Sequence, residues 1–123
     1  MLNRDDILNR QAGRFETVTV PEWGGDVRIK ALNVRDRAII ETEFGRLGRL
    51  MRADDPNAVS GLFKLQLTMT ALSVVDESGK PMFTLDDLSA LEEQEPEAIQ
   101  IISNAASALN GFATKAVEDA AKN

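Results

Sequence analysis

The sequence predicts a mainly α-helical protein with a small N-terminal β-hairpin, an α+β arrangement whose helices pack around a central apolar helix at about residues 57–75. Three observations lead there. Phe15–Val20 and Val27–Ala31 each alternate with period two in β-branched residues. From Asn33 onward, apolar side chains recur at three-to-four spacing instead. The stretch from Asn57 to Val75 is apolar on more than one side, as expected of a helix contacted from several directions.

The elements follow in order. A chain of 123 residues is one domain by length: a short helix in 1–13, the hairpin in 14–32, a helical body over 33–117 and a frayed tail at 118–123. Asp5 and Asp6 complement the dipole of a first helix from Asn3 to Gln11, which Gly13 ends. The hairpin turns through Pro-Glu-Trp-Gly-Gly-Asp, with Val18 and Val20 facing Val27, Ile29 and Ala31 on its apolar side; its two glycines suit positive φ. Asn33, with Asp36 three residues on, caps a helix to about Met51 that carries Ile39/Ile40, Phe44, Leu47 and Leu50/Met51. That helix stops at Ala53–Asn57, and the next starts with Asp55 as its cap and Pro56 at the first helical position and runs to Val75. It carries Val59, Leu62, Phe63, Leu67 and Thr70 on one stripe, with Leu65, Met69, Leu72 and Val75 beside it.

Asp76–Pro81 has the composition of a tight turn, and Met82-Phe83 that of a short extended piece. Thr84-Leu85-Asp86-Asp87 is a capping box, with Phe83 and Leu88 as its hydrophobic staple. A short helix then reaches about Glu92, and Pro96 opens a last helix to about Val117. Ile99, Ile102, Ala106, Leu109 and Ala113 form one stripe on it; Ile101, Ala105, Ala108 and Phe112 form another.

Composition narrows the chemistry. There is no Cys, His or Tyr, which removes thiol and imidazole nucleophiles, their metal sites and the side chain that titrates near neutrality. No cofactor or metal is expected, and the balance is against an enzyme. No apolar run approaches the ~20 residues of a membrane span, and no signal peptide opens the chain, so a cytoplasmic protein is expected. Residues 1–52 carry ten Lys/Arg against eight Asp/Glu, whereas 53–123 carry four against twelve. That acidic second half suits a solvated surface, head-to-tail attraction between copies or a basic partner, and disfavours nucleic acid.

Three local patterns read more simply than they first look. Counted as a calcium loop from Asp76, the glycine position holds Pro81 and the final acid is Asp87, so the turn reading stands. Arg46, Arg49 and Arg52 line one helix edge without interleaved aromatics, which fits a solvated face better than a DNA contact. Glu92, Glu93, Glu95 and Glu97 flank Pro96 at a surface junction, with no pocket implied.

Two blocks carry a resemblance: Val-Pro-Glu-Trp-Gly-Gly at 20–25, and Val-Asp-x-x-Gly-Lys-Pro-x-Phe-Thr at 75–84. With the helix after Asn33, their order over residues 15–112 resembles the tail assembly chaperones of long-tailed bacteriophages. The resemblance implies a non-enzymatic factor in the host cytoplasm that binds the helical tape measure protein, helps recruit tail tube protein, self-associates and is absent from the virion. It also implies a frameshifted longer form, for which Ala121-Lys122-Asn123 suits a slippery heptamer. The alternatives are a small structural tail component that stays in the particle, and a DNA-binding regulator. Apolarity and expected exposure single out Trp23, Phe44, Leu47, Ile102, Leu109 and Phe112 as partner contacts. Trp23 has two readings: packing or subunit contact, and client binding.

Overall fold

A computed structural model of the chain describes residues 1–9 and 13–112. The expected end of the first helix at Gln11, the last turns to Val117, Ala113 and the tail 118–123 lie outside the described residues. The architecture is mainly helical with a small antiparallel sheet, as the patterning predicts. Helices α1 (Arg4–Leu8), α2 (Val34–Arg52), α3 (Ala58–Ser73), α4 (Leu88–Leu91) and α5 (Pro96–Leu109) accompany strands β1 (Phe15–Val20), β2 (Gly25–Lys30) and β3 (Val74–Val75), in sheet order β1-β2-β3.

The hairpin closes on a four-residue loop, since Val20 pairs with Gly25. Pro21-Glu22-Trp23 forms one 3₁₀ turn, and Gly24 reverses the chain at φ +74°. Only this glycine of the pair has positive φ. Val18, Val20 and Ile29 are buried, so the apolar face of the hairpin points into the core.

The third strand departs from the sequence reading, which carries the helix through Val75. α3 ends at Ser73, and Val74–Val75 pairs with Ile29 and Arg28 of β2. Two successive β-branched residues are poor helix formers, and here they meet an open strand edge. The chain then turns back through Asp76–Lys80 to an isolated bridge between Val75 and Pro81. In that turn, Asp76 Oδ1 accepts from Ser78 Oγ at 2.7 Å, Ser78 N at 2.8 Å and Lys80 N at 3.0 Å.

The Ser78 hydroxyl and then the Lys80 amide hold the Asp76 carboxyl below its ordinary value of 3.8. Because the pKa is lowered on folding, the contribution to the turn is complete above the ordinary value and fades as pH falls through the lowered one. An NMR titration is expected to place the Asp76 midpoint below 3.8, and Ser78→Ala to raise it; a midpoint at or above the ordinary value contradicts this network.

The helix ends follow local chemistry. Asn33 Oδ1 accepts from Asp36 N at 2.8 Å and caps α2. α2 ends with Asp55 N donating to Leu50 O and Asp54 N to Met51 O, while Asp54 takes the left-handed conformation at φ +50°. Asp55 therefore does not cap α3 as the sequence suggests. Its carboxylate accepts from Asn57 N at 2.8 Å inside the turn, and α3 starts two residues beyond Pro56. The Thr84 box is present: Asp86 N donates to Thr84 Oγ1 at 3.2 Å and Thr84 N to Asp87 Oδ2 at 2.8 Å. It opens a 3₁₀ turn, Leu85–Asp87, that leads into α4.

α3 is the central helix, packed between α2 and α5. From Leu65 onward it is almost wholly buried, and Thr68 and Thr70 satisfy their hydroxyls on the carbonyls of Lys64 and Gln66. Nearer its start, Gly61 allows a close approach to α2: a Cβ there would lie 3.0 Å from Leu50 Cδ1 and 3.5 Å from Leu47 Cδ1. Gly61→Val is expected to crowd the Leu50 and Leu47 side chains and cost about 1–3 kcal/mol in urea unfolding. An unchanged midpoint refutes the close-packing role.

α5 stops earlier than its periodicity suggests. Asn110 caps it, and Gly111 turns the chain at φ +81°, so the helix does not run unbroken from Pro96 toward Val117.

Candidate partner-binding surface

Ile102 is completely buried; Leu47 and Phe112 are nearly so. Trp23, Phe44 and Leu109 are half-buried and pack against the same core. Phe112 lies 5.1 Å from Phe44, ring centre to ring centre, and the Arg37 guanidinium stacks over it at 4.4 Å. The folded chain thus uses these six side chains for its own packing. Apolarity was their common signal, and it does not distinguish a core stripe from a contact stripe.

Trp23 follows its packing reading. The 3₁₀ turn and Gly24 form the hairpin tip, which packs against α5, and the indole Nε1 donates to Gln94 Oε1 at 3.0 Å in the link between α4 and α5. Trp23, Phe83, Asp87, Ala90, Leu91 and Gln94 border an open hollow of about 400 Å³. One residue from each block that carries the resemblance, Trp23 of 20–25 and Phe83 of 75–84, thus borders this hollow.

Apolar side chains are left exposed elsewhere, among them Ile7 and Leu8 on α1, Val34 and Met51 on α2, and a stripe on α3. In the first half of α3, Val59, Leu62 and Phe63 are 65%, 42% and 38% exposed at i, i+3 and i+4 spacing. This stripe leads into a second hollow of about 450 Å³ bordered by Ser60, Phe63, Lys64, Leu67, Leu88 and Glu92. The sequence places Val59, Leu62 and Phe63 on the apolar side of the central helix. It does not show that α2 and α5 leave them uncovered.

The remaining candidates stay at the surface. Arg46, Arg49 and Arg52 are exposed on α2, where Arg49 and Arg52 complement the dipole in the last turn. Glu92, Glu93, Glu95 and Glu97 are all exposed. No group of three or more metal-ligating side chains occurs among the described residues, and no helix among them is long and apolar enough to cross a membrane.

No family model and no curated protein matches the chain. Among solved structures, that of the bacteriophage HK97 tail assembly chaperone is similar with a TM-score of 0.49 and 17% identity, covering 80% of this chain and 83% of that chain.

Proposed function

We propose that the chain is a tail assembly chaperone of a long-tailed phage: a non-enzymatic factor of the host cytoplasm that keeps the tape measure protein soluble while tail tube protein is recruited. The observation that carries the reading is that Trp23 of one resembling block and Phe83 of the other border a single hollow, in which the indole donates to Gln94. The free apolar stripe of α3 beside an acidic surface supports it, because a holdase needs apolar contact area and charge that keeps the complex in solution.

Co-expression with the tape measure protein of the same phage tests the proposal. The soluble fraction of that client is expected to rise when this chain is present. An unchanged fraction overturns the reading, as does finding the chain in purified virions, which is the outcome a structural tail component requires.

A further inference from the structure

We infer that the groove between the first half of α3 and α4 is a docking surface for one amphipathic helix of a partner protein, with basic residues flanking that helix's apolar stripe. The inference rests on the chaperone reading and adds to it the location and chemistry of the client contact. Three features of the surface lead to it.

Its floor is apolar and uncovered. Val59, Leu62 and Phe63 stand exposed on α3, and the stripe continues through Leu67 and Leu88 into the 450 Å³ hollow. From Ala58 to Leu67 the helix presents about 15 Å of such surface, the length of some three turns of a ligand helix. No described part of the chain covers Val59 or Leu62, since α2 takes the opposite side of α3 at Gly61.

The segment that carries α4 is acidic, and its Glu92 borders the hollow. Asp86, Asp87, Glu92, Glu93, Glu95 and Glu97 fall within residues 81–100, which contain no Lys or Arg. All but the half-buried Asp87 are exposed. The one cation bordering the hollow, Lys64, is paired with Glu43 at 3.6 Å. Electrostatic complementarity therefore selects a basic ligand.

The same charge disfavours other occupants. A two-fold dimer through this face would bring two acidic 86–97 segments into one interface. Nucleic acid and anionic lipid would be repelled.

The test measures fluorescence anisotropy with two labelled synthetic peptides of about 20 residues, long enough to be helical. Both carry one leucine stripe at helical spacing; one is flanked by Lys and the other by Glu. The Lys-flanked peptide is expected to bind saturably, and the Glu-flanked one about tenfold more weakly or less. Phe63→Glu, with its fold checked by circular dichroism and the more exposed Val59→Glu (65%) as a second variant, is expected to lose about tenfold or more in affinity. Glu92→Lys with Glu93→Lys is expected to reverse the preference between the peptides.

Equal binding of both peptides, absence of saturable binding, or unchanged affinity in Phe63→Glu overturns the inference. So does an oligomer that Phe63→Glu dissociates in sedimentation, which would make a second copy the occupant. If Phe63→Glu still keeps the tape measure protein soluble in co-expression, the groove assignment falls and the chaperone reading stands. If wild-type chain binds the Lys-flanked peptide through Phe63 yet leaves the tape measure protein insoluble, the groove stands and the chaperone reading falls.

Discussion

Ile102→Ala is expected to lower the free energy of unfolding by about 2–5 kcal/mol, the range for removing a fully buried aliphatic side chain and leaving a cavity. Ile102 has no exposed surface and belongs to the cluster that joins the sheet (Val18, Val20, Ile29) to α2 (Ile40) and α3 (Met69). Three layers of the fold therefore lose contacts together, and close packing lets none of them shift far to refill the space. Urea unfolding reads the effect as a lower midpoint with an unchanged slope. The measurement also tests where Ile102 acts. A loss under about 0.5 kcal/mol, the range of surface substitutions, accompanied by weaker client binding, would make it a contact residue rather than a core residue.

The second large effect is expected at a polar position. Asn110→Ala removes a side chain that is 8% exposed and joins separate elements. Asn110 Oδ1 accepts from Leu32 N at 2.9 Å, at the exit from β2, and Nδ2 donates to Ala106 O at 2.7 Å. The backbone carbonyl of Asn110 accepts from Arg37 Nη1 at 3.1 Å, and Arg37 in turn covers Phe112. Truncation leaves the Leu32 amide without its acceptor in a partly buried place, so the expected cost is about 2–3 kcal/mol. Hydrogen exchange supplies an independent readout: the Leu32 amide is expected to exchange faster in Asn110→Ala than in the wild type. Unchanged exchange there would show that the side chain does not tie α5 to the hairpin.

These two positions differ in how far the sequence discloses them. Ile102 is visible as an apolar residue on a helical stripe, though periodicity alone leaves open whether the stripe faces the chain's own core or a partner. Asn110 gives no signal, because its partners are 78 and 4 residues away and one of them is a backbone amide. Val59, Leu62 and Phe63 show the converse. Their spacing assigns them to the inner side of a central helix, yet α3 is enclosed only from Leu65 onward.

Local chemistry written in short windows determined much of the fold. The hairpin strands, the Asn33 cap, the Thr84–Asp87 box and the Asp76 turn all depend on residues within a few positions of one another, so their patterns specify them without reference to the rest of the chain. Tertiary structure decided whatever depends on distant segments meeting. Val74–Val75 leaves the helix for the sheet because β2 offers an unpaired edge. α5 stops at Leu109, where Asn110 finds the Leu32 amide. Trp23, which local sequence leaves free to pack or to meet a partner, comes to rest beside the link between α4 and α5, where Gln94 Oε1 accepts a hydrogen bond from its indole N–H. Which apolar stripe stays open to solvent is settled last, once every other element has taken its place, and a residue's own neighbours in sequence carry no record of that outcome.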